Sequence, residues 1–303
     1  MSNDQKEMRV RVPASTSNLG SGFDVLGLGV GMYLELSMEL DTGSIEVLST
    51  GEGAEKLPTD ERNLIAQLIL EHAPELRARG FRVRTHSEIP LTRGFGSSAS
   101  AIVGALALVQ LAQKGHIDRQ EILQISTTLE GHPDNVSASI FGGLTISASL
   151  ESGVTTHPIR IPSSIQIVAL VPNQEVSTSA ARAALPPNYE RKDVVYNLQR
   201  LGQLLAGLYE NDHTMIAAGL NDRLHQSYRS ALLPPMAEAI DTMRATEGCI
   251  GAFVSGAGPA IVAFASHNAE EIGARGVALF EAAGIEAFAK TIQPDYDGVV
   301  QIH

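Results

Sequence analysis

Apolar and polar positions alternate over residues 8–13 and again through Phe81-Arg82-Val83-Arg84-Thr85-His86, the period of a strand with one face on a core. Residues 25–40 carry a strand-like pattern laced with glycines, and 45–49 and 165–171 read as shorter strands. The period then changes. Residues 99–111 form an Ala-rich apolar run too long for a strand, which predicts a buried helix. Asn63 opens a helix through residue 73, and Asp118-Arg119-Gln120-Glu121 has the form of a capping box for a helix that runs to Gly131. Residues 194–209, 214–220 and 236–245 have amphipathic helical spacing. Residues 252–264 read as two short strands around a glycine turn, followed by a helix near 270–283 and a strand over 286–290. This ending predicts an α+β C-terminal domain. The turn-rich stretch 149–164 suggests the boundary, dividing the chain into 1–158 and 159–303.

Composition narrows the partners. With 34 acidic against 22 basic residues, the net charge of −12 opposes polyanions and argues against nucleic acid. A small anion would have to be held by local dipoles and a few arginines. Cys249 stands alone and suits a reducing compartment, so a cytoplasmic location is expected. Residues 1–11 lack the apolar centre of a signal peptide, and no apolar run reaches the length of a membrane span.

The stretch with the clearest chemistry is Pro90-Leu91-Thr92-Arg93-Gly94-Phe95-Gly96-Ser97-Ser98-Ala99-Ser100-Ala101, between a predicted strand and the predicted buried helix. That layout points a helix N-terminus, with its free N–H groups and positive dipole end, at an anion. Gly94 and Gly96 admit backbone conformations that let a phosphate approach the main chain. Ser97, Ser98 and Ser100 offer hydroxyls to phosphate or magnesium. It is not a P-loop, which requires a lysine after its second glycine, nor a dinucleotide fingerprint, because Ser97-Ser98-Ala99 follows Gly94-Phe95-Gly96. A plain reading also exists: serine is a good N-cap and the glycines can simply turn the chain.

The full string resembles the P-x-x-x-G-L-G-S-S-A-A motif of the GHMP kinases, with Phe95 where leucine is usual. Residues 10–27 are similar to the N-terminal signature of the homoserine kinases within that superfamily, with Ser17 replacing the usual alanine and Ser21 the common proline. Glu130-Gly131-His132-Pro133-Asp134-Asn135-Val136, followed by Gly142-Gly143, resembles the E-G-H-x-D-N-V segment. The strings around Arg182, Asp222–Arg229 and residues 252–264 fit the same family. A C-terminal glycine and a proline account for Gly131 and Pro133, but not for the acids, histidine and amide beside them. His132 and Asp134 invite a metal reading, yet no zinc spacing supports a dedicated site.

The resemblance implies an α+β, two-domain GHMP kinase architecture, with a ribosomal-protein-S5-domain-2-like N-terminal part and a ferredoxin-like C-terminal part. It implies transfer of the γ-phosphoryl of ATP to the hydroxyl of L-homoserine with Mg2+. Pro90 to Ser100 would cradle the phosphates, with Asn63 near the nucleotide, while Ser98 and Glu130 would hold magnesium. Arg182 and Arg229 suit the substrate carboxylate, and Asp24 and Asp134 its ammonium or hydroxyl. Asn18 and Asn135 can orient it, which makes Asn135, Asp134 and Arg182 the catalytic candidates. Asn135 stands where mevalonate kinase has an aspartate, so no strong general base is expected there. Another small-molecule GHMP kinase and a ligand-binding homologue without activity are the alternatives. A homodimer would be unsurprising.

Overall fold

The computed structural model describes residues 7–303; the polar opening at residues 1–6 lies outside the described residues. The first half runs β1 (Met8–Ser17), β2 (Leu26–Leu40), β3 (Ile45–Gly51), α1 (Leu64–His72), the short α2 (Leu76–Arg79), β4 (Phe81–Ser87), α3 (Ser97–Lys114), α4 (Arg119–Glu130), α5 (Asp134–Phe141), β5 (Leu144–Leu150) and β6 (Gly153–Ile159). The second runs β7 (Gln166–Pro172), α6 (Thr178–Ala183), α7 (Arg191–Glu210), α8 (His213–Gly219), α9 (Gln226–Ser230), α10 (Pro235–Ala245), β8 (Cys249–Val254), β9 (Ile261–Ala265), α11 (Ala269–Ala282), β10 (Ala287–Ile292) and β11 (Val300–Ile302).

Seven strands form the first sheet, in the order β11-β1-β2-β4-β3, with the β5–β6 hairpin on the other end of β2. The length of β2 allows this: Leu26–Leu28 pairs with β5, and Leu34–Leu40 with β4. The register of β1 against β2 slips between Pro13 and Ala14, where a proline cannot donate to the ladder. The glycines of β2 have a packing reason. A Cβ on Gly27 would lie 2.0 Å from the carbonyl of Asp134, and one on Gly29 would lie 3.1 Å from that of Ala138. Bare backbone lets α5 rest against the strand and sets the depth of Asp134 and Asn135.

Helix α3 is buried from Ala99 through Leu111, apart from the half-buried Ala101, because β1, β2, α1, α4 and α5 surround it. Four antiparallel strands make the second sheet, ordered β10-β7-β9-β8. Counted from β7, that is strand order 4-1-3-2 in a β-α-β-β-α-β chain, the ferredoxin-like arrangement. Val168 and Leu170 pack with α10 and α11, whereas Ile167, Ala169 and Val171 face the main core. Burial on both faces explains why this strand reads as an unbroken apolar run.

Three expectations need correction. Residues 153–159 form β6, a strand whose exposed positions hide any alternation. The final residues return to the first sheet, where β11 pairs with β1 and Val299 enters the main core, so a single cut at 158/159 does not separate the sheets. A three-residue strand is too short to reveal a period. At Asp118 only half of a capping box forms. The Asp118 carboxylate accepts from the N–H of Gln120 and Glu121, but its own N–H donates to Gln110 Oε1 at 2.6 Å, and Glu121 turns to Lys114 and Gln110. No helix among the described residues is long and apolar enough to cross a membrane.

Candidate active site

The turn before α3 is built by glycine. Gly96 is the N-cap residue in a left-handed conformation (φ 65°), and no side chain caps the helix. The serine-cap reading therefore fails, and Gly96, Ser97 and Ser98 at the start of the helix line a cleft of about 110 Å3. Gly94 (φ 92°) is pressed to the second domain; a Cβ there would lie 2.1 Å from the Ser255 carbonyl. Ser255 Oγ donates to the Gly94 carbonyl at 2.7 Å, and the Ala260 N–H to that of Arg93 at 3.0 Å. The glycine turn between β8 and β9 thus clamps the loop.

Not every residue of the predicted cradle faces the cleft. Thr92, Gly94, Gly96, Ser97 and Ser98 do. Phe95 and Ala99 are buried in the core. Ser100 is also buried, and its hydroxyl is directed at the carbonyls of Pro13 and Gly96, so it is not placed to meet phosphate or magnesium. Arg93 turns toward the second domain, donating to the carbonyls of Pro172 and Leu91 and to Asn173 Oδ1. With Pro90, Leu91, Lys56 and Glu175 it lines a neighbouring cleft of about 420 Å3. Asn63 lies in neither lining; its amide caps α1 at the Ile65 N–H and donates to the Pro58 carbonyl.

Opposite the loop, α4 and α5 deliver the acidic group. Ser98 Oγ donates to Glu130 Oε2 at 3.2 Å. Burial raises the Glu130 pKa, against the pull of His132 and Ser98. A desolvated carboxylate beside a serine hydroxyl is a hard-oxygen pair that fits a magnesium ion. Asp134 accepts from His132 Nδ1 at 2.5 Å and from the Asn135 N–H at 2.8 Å. Burial pushes Asp134 up and His132 down, but their mutual attraction outweighs it, leaving Asp134 lowered and His132 raised. The Asn135 amide is held at both ends: Oδ1 accepts from Ser17 Oγ at 3.1 Å, and Nδ2 donates to Ser15 Oγ at 3.0 Å.

Arginines close the site. From α6, Arg182 makes a two-pronged pair with Asp24, at 2.9 and 3.2 Å. Arg229 is buried, and burial lowers its pKa, reinforced by the charge of Arg182. Asn18 has a supporting part: Oδ1 accepts the Asp24 N–H, and Nδ2 donates to the Gly256 carbonyl. Asp24, His132 and Asp134 bring ligand-capable atoms within 4.8 Å of one another, although Asp134 already bonds His132 and Asp24 already pairs with Arg182. Sequence reasoning gave no site role to Ser17, Thr178, Gly256 or Ala257 and weighed His132 only as a metal ligand; all five line the cleft. The departure at Ser17 was the available signal, since a hydroxyl replaces a methyl there.

Residues 63–143 match the model of the GHMP kinases N terminal domain, and 204–281 that of the GHMP kinases C terminal domain. The chain is 35% identical to a homoserine kinase of Desulfitobacterium hafniense, across 97% of this chain and all of that protein. It belongs to the homoserine kinase family of the GHMP kinases. A homoserine kinase of Caldanaerobacter subterraneus is 39% identical, over 88% of this chain and 86% of that one. The crystal structure of homoserine kinase from Cytophaga hutchinsonii superimposes with a TM-score of 0.87 at 25% identity, covering 100% and 99% of the two chains. Galactokinase of Lactococcus lactis, at 15% identity and a TM-score of 0.72 over 98% of this chain and 96% of that one, shares the fold. The two-domain kinase architecture expected from the motifs is therefore correct.

Proposed function

We propose that this chain transfers the γ-phosphoryl group of ATP to the side-chain hydroxyl of L-homoserine, forming O-phospho-L-homoserine for threonine biosynthesis. The observation that carries this reading is the paired chemistry of one small cleft: the uncapped start of a helix on one wall, and Asp24 with Arg182 and Arg229 on the other. An amino acid carries both charges of an ion pair. Its ammonium matches Asp24 and its carboxylate matches Arg182 and Arg229, so the zwitterion can replace the Asp24–Arg182 contact without stranding either charge. Sugars and isoprenoid alcohols lack that pattern. The cleft is also well below the several hundred Å3 of a drug-sized pocket, which suits a small acceptor, while the larger neighbour can take a nucleoside.

Phosphoryl transfer has a loose transition state, so positioning and charge stabilisation supply most of the rate. The N–H groups of Ser97 and Ser98 would take the phosphates. Ser98 and Glu130 would hold magnesium, which neutralises charge on the phosphate oxygens when bound. Asn135 has a fixed amide and no basic atom, so it aligns the acceptor hydroxyl. The proton then leaves late, to a phosphate oxygen. An ADP-release assay with homoserine, mevalonate and galactose, each with and without Mg2+, tests the assignment. Turnover confined to homoserine with Mg2+ is expected; equal turnover of mevalonate or galactose would defeat it. For the proton, Asn135→Asp should not raise kcat, and a large rise with a new acidic limb in the pH profile would contradict late transfer.

A further inference from the structure

Arg229 is only 3% exposed, yet no carboxylate among the described residues bonds to it. Its Nη1 donates to the Gly256 carbonyl at 2.7 Å and to His225 Nδ1 at 3.3 Å, while its buried Nε–H has no partner among the described residues. All three acids near it are engaged elsewhere, Asp134 with His132. Asp24 pairs with Arg182, and Asp222 accepts from the N–H groups of Leu224, His225 and Gln226 and from Asn197 Nδ2. His225 is fully buried, with Nε2 2.8 Å from the Gly20 carbonyl. A carbonyl only accepts, so Nε2 carries the proton and Nδ1 is a bare acceptor. Phe23 stacks on the imidazole, its centroid 5.2 Å away and inclined by 21°, and the same ring lies 5.2 Å from the Arg229 guanidinium carbon.

We propose that His225 is a positioning residue that aims Arg229 at the substrate carboxylate; this rests on the assignment of Arg229 made above. A carboxylate in its place would hold the guanidinium but neutralise it. A neutral imidazole nitrogen fixes the orientation and leaves the charge for the ligand. The charged groups around the ring are Asp222, 3.8 Å from Nε2, together with Arg229 and the more distant Asp24. Arg182 lies over Phe23, with its guanidinium carbon 5.9 Å from that ring's centroid. Burial and the Arg229 charge oppose protonation and prevail over both acids. A protonated ring would set N–H against N–H and release Arg229.

Two isosteres separate aiming from simple packing. In His225→Asn the side-chain oxygen takes the place of Nδ1 and can still accept from Arg229; in His225→Gln the amide nitrogen takes the place of Nε2 and still bonds Gly20. With folding checked by thermal melts, His225→Gln should raise KM for homoserine about tenfold to a hundredfold, leave KM for ATP within about threefold, and His225→Asn should recover most of the loss. Equal loss in both variants, or a greater loss in His225→Asn, would overturn the proposal. Nitrogen-15 spectra of the wild-type ring should find the proton on Nε2 at neutral pH, and a proton on Nδ1 would refute the arrangement even if neither variant folds. Arg229→Gln identifies the level of a failure. If it leaves KM for homoserine unchanged, the carboxylate assignment falls and the proposal with it; if it raises KM while His225→Gln does not, only the role of His225 is overturned.

Discussion

On the wall formed by residues 92–98, no cationic side chain among the described residues faces the cleft, whereas the opposing wall presents Arg182 and Arg229. Arg93, the one cation of the loop, is turned to the second domain. One wall works through main-chain dipoles and the other through full charges. Dipoles survive side-chain truncation but not a change of backbone conformation; charged side chains behave in the opposite way. In a chain of net charge −12, the proposed function would divide the work between the phosphates of ATP on one wall and the carboxylate of an amino acid on the other.

The largest effect should come from the dipole wall. Gly94→Ala puts a methyl against the Ser255 carbonyl and should lower kcat/KM about a thousandfold. Gly115→Ala, also at positive φ but with open space around it, should cost about 1 kcal/mol of stability and leave activity intact. Similar activity in the two variants would erase the distinction between the walls. Next, Arg182→Lys loses the two-pronged geometry and should raise KM for homoserine about tenfold, with KM for ATP unchanged in steady-state assays. An effect on ATP alone would exchange the roles of the walls.

A smaller effect is expected in stability against pH. The folded pKa of His225 is lowered, so both states are neutral above the ordinary histidine value, and the unfolded chain alone gains the proton below it. Stability should fall with pH from about 6.5 toward the folded pKa, by at most about 1.4 kcal/mol per unit from this residue. Urea melts of His225→Asn should show a shallower slope over that window; an unchanged slope would remove His225 from the account. Least of all, Ser100→Ala should cost about 1 kcal/mol and leave ATP affinity as it was, since its hydroxyl points away from the cleft. Weakened ATP binding would return Ser100 to the cradle.

Much of this fold was legible because its central elements carry strong periods. The all-round apolar character of α3 announced its burial, and the continuous run at β7 announced a strand covered on both faces. Less visible were elements that long-range contacts create. The exposed β6 and the three residues of β11 exist through their partners. Within the cradle, the residue types identified the loop, but the directions of Ser100 and Arg93 depend on Pro13 and Pro172, far away in the chain. His225 and Ser17 were present in the quoted strings, yet their parts emerge only from what each one touches.

The antiparallel contact of Arg9 with Ile302 has a consequence for how the molecule is made. A ribosome delivers β11 only after every strand of the second sheet, so the first sheet lacks the strand beyond β1 until then. The first sheet is therefore completed only by residues 300–302, and a nascent chain stalled near residue 290 should leave the β1 edge open to chaperones or to other strands.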